Sequence, residues 1–280
     1  MLLMWWGACI VERDDWTRPE IDQAFDYVID RTRLVALRVA PAVVPDGGSL
    51  TLDALVLSPF ETAPIRLQAC GLDADTVTPI RVTDPSCFSV PELVTDLGVA
   101  PATLQAPGFE ALSDRASCAF VADQGLPETC RLTFPLLAMV QGTDAEARAS
   151  EPFDVIVGLP APVEPLLTEA DLSLGVPETA PSGTMVNLDI IWSPKRESAI
   201  LSAEVTWYVD VGRLERLRVT RLESGPSGWW ASNQLRIPSD ADGPLRVAVV
   251  VDVAIAQVGS VEPFDRRERA WRVETIEVTP

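Results

Sequence analysis

Few side chains in this sequence could carry out acid–base, nucleophilic or metal chemistry. The chain has no histidine, which is the usual general base near neutral pH and the most common metal ligand. Lys195 is the sole lysine and lies in a polar, turn-like stretch, residues 193–197, where a solvated loop charge is expected. Ser–His–Asp and Cys–His catalysis and most zinc sites are excluded. We therefore expect no catalytic residue, no metal site and no cofactor.

Carboxylates are the remaining source of chemistry, since a glycosidase needs only a pair of acids. The chain holds 41 acidic residues, and their spacing singles out no pair. Asp240 with Asp242, and Asp73 with Asp75, form short oxygen-rich stretches of the kind that calcium prefers. Each pair falls far short of the roughly six to eight ligands that calcium takes. Both stretches are therefore interpreted as turns.

Cys70, Cys87, Cys118 and Cys130 form an even set once Cys9 is set aside. None of them stands in a C-x-x-C pair, which gives no support to a zinc ribbon or a thioredoxin-like motif. Disulfides are expected, because an even set of cysteines is typical of proteins in oxidising compartments. Four cysteines allow about three pairings. The sequential one, Cys70 with Cys87 and Cys118 with Cys130, is slightly favoured over the nested one, and four buried free thiols are the alternative to both.

Cys9 follows an apolar run that finishes with Gly7 and Ala8. This run resembles the end of a bacterial lipoprotein signal peptide, which implies that Cys9 becomes the lipid-carrying first residue of the mature protein. The alternative is an ordinary apolar N-terminus with an incidental thiol. Ile10 is not the aspartate that usually retains lipoproteins at the inner membrane. The resemblance therefore implies a lipid anchor in the outer membrane, on its periplasmic or surface face.

Trp229 and Trp230 follow a flexible Gly- and Ser-containing stretch, residues 224–228. Adjacent residues of a strand point to opposite faces, so at most one of the two rings can enter a core. The other ring is a candidate for an exposed contact with protein or sugar. The alternative is a ring shielded by a neighbouring strand or by a cleft between domains.

Four arginines lie close together on an otherwise acidic chain: Arg213, Arg216, Arg218 and Arg221. Arg216 and Arg218 would share one face of a strand and could meet an acidic partner or lipid phosphates. A solvated outer face that protects an edge strand is the more ordinary interpretation.

The formal net charge of −19 opposes binding to nucleic acid, which depends on neutralisation of phosphates by Lys and Arg. We expect no nucleic-acid partner. No apolar stretch approaches the roughly 20 residues needed to span a bilayer as a helix.

The chain divides by pattern into five parts. Residues 1–9 are interpreted, from the resemblance above, as the remnant of a signal peptide and its lipidation motif, and residues 10–30 have the helical spacing of a stalk helix. Residues 31–158 and 169–280 alternate with a period of two, and the Pro-rich residues 159–168 link them. Residues 71–130 are rich in Pro, Asp, Ala and Ser with weak periodicity, and are interpreted as a disulfide-stapled insertion.

Both alternating parts resemble bacterial Ig-like modules. In the first, the strand patterns 34–39, 49–56 and 65–70, with a Pro-Asp-Gly-Gly turn at 45–48, look like the opening strands of such a domain. In the second, residues 205–215 and 243–252 resemble Ig-like and PKD-like modules, in which Trp207 would be the buried tryptophan of the third strand. The resemblance implies an all-β protein with two Ig-like antiparallel β-sandwiches in tandem.

A bacterial surface lipoprotein with Ig-like (PKD-like) domains, of an uncharacterised family, is the identity that these resemblances imply. We expect a non-enzymatic binding, scaffold or accessory subunit of a cell-envelope or surface assembly, with a protein partner in the envelope and a membrane contact through the lipid anchor. Two alternatives remain: a carbohydrate-binding module that uses Trp229 or Trp230, and a carboxylate-based carbohydrate-active enzyme with its site in residues 71–130. Fold alone does not decide among them.

Overall fold

A computed structural model describes the body of the chain in eleven stretches. They are residues 32–58, 64–72, 85–113, 118, 128–140, 148–158, 163–194, 200–215, 219–226, 228–256 and 266–280. Cys9 and the expected stalk helix at residues 10–30 lie outside the described residues.

The strands fall into two groups. The first group is β1 (Arg33–Ala40), β2 (Val43–Val44), β3 (Ser49–Leu57), β4 (Ile65–Cys70), β5 (Val94–Val99), β6 (Ala102–Gln105), β7 (Cys130–Val140) and β8 (Arg148–Val157). The second group is β9 (Leu172–Gly175), β10 (Thr179–Pro181), β11 (Met185–Trp192), β12 (Ile200–Val209), β13 (Arg213–Leu214), β14 (Val219–Arg221), β15 (Glu223–Gly225), β16 (Gly228–Arg236), β17 (Gly243–Ile255) and β18 (Arg266–Thr279). A helical turn, α1 (Phe109–Leu112), and short 3-10 turns at Pro85–Ser89, Pro91–Leu93 and Glu169–Asp171 complete the described elements.

Each group builds one sandwich of two sheets. The first has sheet I (β1-β3-β6) and sheet II (β2-β8-β7-β4-β5); the second has sheet III (β10-β18-β17-β12-β14) and sheet IV (β13-β16-β11-β9, with β15 also on β16). In both, a short early strand pairs in parallel with the last strand, β2 with β8 and β10 with β18. The two sandwiches therefore repeat one Ig-like plan, and the prediction of an all-β pair of Ig-like domains is confirmed.

Binary patterning explains the second sandwich. Along β11, Leu188, Ile190 and Trp192 are buried while the residues between them are exposed, which is the period of two that a half-buried strand requires. Trp207 on β12 is fully buried and packs in the same core as Trp192, so the prediction of a core tryptophan at residue 207 is confirmed.

The first sandwich is pinned by disulfides. Cys70 is bonded to Cys87 and Cys118 to Cys130, which confirms the sequential pairing. The segment at residues 71–130 is stapled as expected, but it also supplies two strands of the sandwich, since β5 pairs with β4 and β6 pairs with β3. Its described part is thus integral to the sheets, and its weak periodicity had concealed this.

The end of the Pro-rich segment belongs to the second core. Leu166 and Leu167 are buried there, and their backbone N–H groups donate to Glu268 Oε2 at 2.6 and 2.9 Å. The indole N–H of Trp192 donates to the carbonyl of Leu166 at 3.3 Å. Glu268 also accepts from Arg266 at 2.7 Å, and both of these charged side chains are almost completely buried. The segment entering the second sandwich is therefore fixed by hydrogen bonds and packing.

The outer face of sheet I packs against the outer face of sheet III. A separate apolar cluster joins the sandwiches: Ala36, Leu55 and Leu57 from the first, and Tyr208, Ala248, Val250 and Trp271 from the second. Burial of each leucine contributes about 1.5–3 kcal/mol. The guanidinium of Arg38 lies 4.5 Å from the centre of the Trp271 ring, a cation–π contact at the edge of this cluster.

Candidate functional site

The hairpin of β15 and β16 places the two adjacent tryptophans on opposite faces of sheet IV. Gly228 begins β16 with a φ of +116°, and a Cβ there would lie 2.5 Å from the carbonyl oxygen of Trp192, so the turn requires glycine. Trp229 packs against the core, with its ring centre 6.1 Å from that of Trp192. Trp230 is 42% exposed. The expectation that one ring enters the core and the other faces outward is confirmed.

Trp230 lies in a row of side chains across the outer face of sheet IV. Its cross-strand neighbours are Ile191 on β11 and Glu223 on β15, and Ile191 is in turn opposite Ser173 on β9. The next outward row is Asp189 with Ser232, opposite Gly175. Ile191 is 40% exposed, so Trp230 and Ile191 form a small apolar platform beside short polar side chains.

Further along the same face lie an amide pair and an ion pair. Gln234 donates to Asn187 Oδ1 at 3.0 Å. Arg236 donates to Glu215 at 2.7 Å, and this hydrogen bond lowers the pKa of the Glu215 carboxyl. We define the Trp230 face as the three successive rows that precede this ion pair. The first row is residues 173, 191, 230 and 223, the second is residues 175, 189 and 232, and the third is residues 187 and 234.

Arg216 and Arg218 lie outside the described residues. Arg213 and Arg221, which flank them, are exposed. Arg213 on β13 is opposite Arg236 on β16, and Arg221 on β14 is opposite Glu204 on β12. The flanking arginines thus belong to different sheets, and one of them faces an acidic residue.

Between the two sandwiches runs a cleft of about 640 Å³, beside the apolar cluster. Its lining carries charges of both signs: Arg38, Arg131, Arg266, Arg267 and Arg269 with Glu151, Asp154, Asp252 and Glu268. Phe153 and Leu201 supply apolar walls from opposite sandwiches. A volume of this size falls within the range of small-molecule sites.

Arg269 is the central charge of the cleft. It donates to Asp252 at 2.5 Å on the neighbouring strand, and to Glu151 at 2.6 Å and the carbonyl of Leu37 at 3.1 Å in the first sandwich. Burial disfavours the charged form of Arg269, but the hydrogen bond to Glu151 and the charges of both carboxylates outweigh it, so the pKa of the guanidinium is raised. Arg269 on β18 therefore bonds to two strands of the first sandwich, β1 through Leu37 and β8 through Glu151.

Arg246 makes a second bond between the sandwiches. Its guanidinium pairs with Asp210 at 2.7 Å and donates to the backbone carbonyl of Ser58 in the first sandwich. Ser58 is fully buried, and its hydroxyl lies 2.7 Å from that of Thr32. Arg246 and Arg269 thus lie on neighbouring strands of sheet III and both reach the first sandwich.

Each of the four acidic side chains that line the cleft accepts a hydrogen bond from another side chain of the protein. Glu151, Asp252 and Glu268 accept hydrogen bonds from arginines, and Asp154 accepts one from Thr133. Glycosidic cleavage needs one acid able to protonate a leaving group and a second able to attack or to activate water. The hydrogen bonds to Arg266, Arg269 and Thr133 occupy the carboxylate oxygens that either role would need. The charged residues of the cleft are therefore best explained as bonds that hold the two sandwiches together.

The described part of residues 71–130 also argues against a catalytic insertion. Its strands β5 and β6 extend the two sheets of the first sandwich, and Leu112 and Cys118 pack in that core. An insertion that packs on the sandwich in this way counts against the carbohydrate-active enzyme. Among the described residues, no group of three or more acidic or cysteine side chains is arranged to hold a metal ion. Within the same residues, no helix has the length and apolar character needed to cross a membrane.

The interdomain arginines escaped the sequence analysis because their partners are remote in the chain. Arg269 and Glu151 are separated by 118 residues, and Arg246 and Ser58 by 188. The single available signal is the alternation of charged and apolar residues along 266–279, which marks a strand with one polar face.

Comparison with known proteins identifies no family. No family model matches the chain, and no curated protein is significantly similar in sequence. Among solved structures, a red sea bream transglutaminase aligns over 89% of this chain and 31% of its own, at 10% identity and a TM-score of 0.28. An elastase-activated Escherichia coli alpha-2-macroglobulin aligns over 89% and 22%, at 15% identity and 0.26. The Escherichia coli adhesin FdeC aligns over 88% and 66%, at 12% identity and 0.22. The chain thus spans less than a third of the first two, and the Ig-like assignment rests on its own strand order.

Proposed function

We propose that this protein is a non-enzymatic, exported lipoprotein that acts as a binding or scaffold subunit of a cell-envelope or surface assembly. The observation that carries the proposal is the lock between the sandwiches, which combines the apolar cluster of sheets I and III with the cross-domain bonds of Arg246 and Arg269. A pair of domains joined by a flexible linker would present its surfaces in many relative orientations. A locked pair presents them in one.

Rigid presentation is useful to a scaffold. Binding a partner on two surfaces costs less conformational entropy when those surfaces are already fixed relative to each other. The disulfides of the first sandwich support the exported location, because such bonds persist in oxidising compartments. Lipidation at Cys9 would tether the rigid pair to the outer membrane and keep it near an envelope partner.

The net charge of −19 restricts the partner. Electrostatic complementarity favours a neutral or basic surface and suppresses encounters with acidic ones. The surface exposed for such an encounter includes Leu201 and Val273, both on the second sandwich and both apolar.

The anchor is tested by the intact mass of the protein from its native membrane fraction, with Cys9→Ser as the matched control. The proposal expects wild type to begin at Cys9 with a diacylglyceryl adduct and to stay with the membrane, and the variant to lose both. An unmodified wild-type chain that begins at Met1 and carries reduced cysteines would contradict export and anchoring together.

The scaffold role is tested in the same cells by photo-cross-linking. Lysine-directed reagents are unsuitable because Lys195 is the sole lysine. A photoreactive residue at Leu201 or Val273 should give discrete cross-linked species with envelope proteins, and these should weaken in the unlocked variant Arg246→Ala/Arg269→Ala. Identical cross-links in the locked and unlocked forms would show that the fixed arrangement is not used.

A further inference from the structure

We propose that the Trp230 face binds a neutral glycan chain. The inference rests on the proposed binding function and specifies the ligand of one surface. It concerns the outer face of sheet IV, on the opposite side of the second sandwich from the lock between the domains.

An exposed ring on a flat sheet is a suitable surface for a sugar. Trp230 is 42% exposed and Ile191, directly opposite on β11, is 40% exposed. The C–H groups on one face of a pyranose can stack on an indole, which buries apolar area on both. Trp229 beneath is packed against Trp192, so the strand that carries Trp230 is anchored in the core and the platform is preformed.

The row beside the platform leaves space for the next sugar unit. Gly175 has no side chain, Ser232 has a short one, and Asp189 lies between them in the register. Residues two apart on a strand are separated by about 7 Å, so this row follows the Trp230 row closely. Short side chains and the exposed carboxylate of Asp189 thus adjoin the ring, and this carboxylate can accept hydrogen bonds from sugar hydroxyls.

The third row continues the polar character without adding a charge. The amides of Asn187 and Gln234 are hydrogen-bonded to each other at 3.0 Å, and such a pair retains donors and acceptors for a ligand. The succession of one stacking platform followed by hydrogen-bonding rows matches an extended chain of hydroxyl-rich rings.

Size argues against a protein as the occupant. A stable protein interface buries about 800 Å² on each partner around an apolar centre. The apolar part of the Trp230 face consists of Trp230 and Ile191, and the exposed Met185 on the same side of β11 is separated from them by the two polar rows. Two side chains do not provide such a centre, but they are enough to stack one sugar.

Charge decides the class of glycan. Glu223 and Asp189 flank the platform on either side of Trp230, and the whole chain carries −19. Uronic or sialic acid polymers, and a second copy of this chain, would be repelled. A neutral glycan meets no such repulsion.

The experiment measures binding of the full chain to an array of neutral, acidic and amino-sugar oligosaccharides, with dissociation constants for positives by calorimetry. The proposal expects neutral glycans to be retained. It expects Trp230→Ala to weaken binding at least 10-fold, Trp230→Phe to weaken it less because a ring remains, and Asp189→Ala to weaken it a few-fold. Val99→Ala, which removes an exposed apolar side chain from β5 of the first sandwich, is the matched control and should bind as wild type does.

Several results would overturn the inference. They are an array without neutral positives, a preference for acidic or amino-sugar glycans over neutral ones, or neutral binding that Trp230→Ala leaves unchanged. Because Trp230 is exposed, the variants should keep the wild-type circular dichroism spectrum, and Trp230→Phe provides a second reading if the alanine variant does not. Membrane anchoring and photo-cross-links are measured separately, so loss of the glycan leaves the scaffold proposal standing.

Discussion

The two sandwiches share one strand plan but are stabilised differently. The first has two disulfides, and its largest fully buried side chain is Phe134. The second has no cysteine in its sequence and buries both Trp192 and Trp207. In the second sandwich, each tryptophan fills far more of the core than a leucine would. In the first sandwich, whose buried side chains are smaller, the disulfides lower the entropy of the unfolded chain. One fold has thus reached stability by two routes.

The largest effect expected is on the aromatic core. Trp207→Ala should destabilise the second sandwich by about 3–5 kcal/mol, because it opens a cavity at a fully buried position. Hydrogen exchange measured by mass spectrometry should show faster exchange in β11, β12 and β17. Exchange in β4 and β7 of the first sandwich should be unchanged. Equal acceleration in both sandwiches would mean that their cores are not separate.

Removing a disulfide should destabilise the first sandwich and leave the second unchanged. Replacing Cys70 and Cys87 by serine opens a loop of 17 residues, which should cost about 3 kcal/mol. Urea unfolding followed by hydrogen exchange should place this loss in the first sandwich. The matched control is wild type treated with reductant, in which the second sandwich, which has no cysteine, should keep its unfolding midpoint. A shift in the second sandwich as large as that in the first would contradict the separation of the two routes.

Breaking the lock between the sandwiches should lower the free energy of unfolding less than these core changes do, but it should release the fixed orientation of the two sandwiches. Arg269→Ala leaves Glu151 and Asp252 facing each other without their shared cation, and we expect a loss of about 1–3 kcal/mol because these carboxylates are partly exposed. Arg272→Ala is the matched control, since Arg272 lies on the same strand and pairs with Glu274 at 2.8 Å within the second sandwich. The measurement is the urea midpoint of each variant. Equal losses of stability in the two variants would show that Arg269 contributes no more than an ordinary surface ion pair.

The smallest effect expected is that of pH at an exposed pair of the first sandwich. The hydrogen bond from Arg66 lowers the pKa of Asp96 below its ordinary value of 3.8. The folded state therefore binds this proton less readily, so the stabilisation is present above the unfolded pKa and is lost as the pH falls through the folded pKa. Wild type should exceed Asp96→Asn slightly in urea midpoint at pH 6, and the difference should shrink as the pH falls below the ordinary pKa of 3.8. A difference that grows on acidification would contradict the assigned direction.

The sequence indicated most of the strands because their patterning is local. The stretch 49–56 was predicted as a strand and lies within β3 (Ser49–Leu57). Strand β18 was missed because its charged residues obscure the apolar alternation. Two of these charges have distant partners, since Glu268 accepts from the backbone of Leu166 and Arg269 donates to Glu151. Strands β5 and β6 were missed because their side chains are short and mostly half-buried or exposed. Short loop lengths slightly favoured the sequential pairing of the cysteines over the nested one, whereas the lock depends on the docking of two folded domains.

The exposed tryptophan could be predicted and its surroundings could not. Alternation along a strand required one of Trp229 and Trp230 to face outward. Which residues stand beside it depends on the register of β11 against β16, which pairs Ile191 with Trp230 and Asp189 with Ser232. Cross-strand register is not local, so the polar rows of the Trp230 face emerged from the structure.

The most direct test of the account is the distance distribution between spin labels on the two sandwiches, measured by pulsed electron paramagnetic resonance. Labels attached through a non-natural amino acid at Thr103 and Thr179, both exposed and outside the lock, leave the cysteines untouched. The account predicts one narrow distribution for wild type and a broad one for Arg246→Ala/Arg269→Ala. A broad distribution in wild type that the double variant leaves unchanged would show that the sandwiches are independent and would contradict the rigid scaffold.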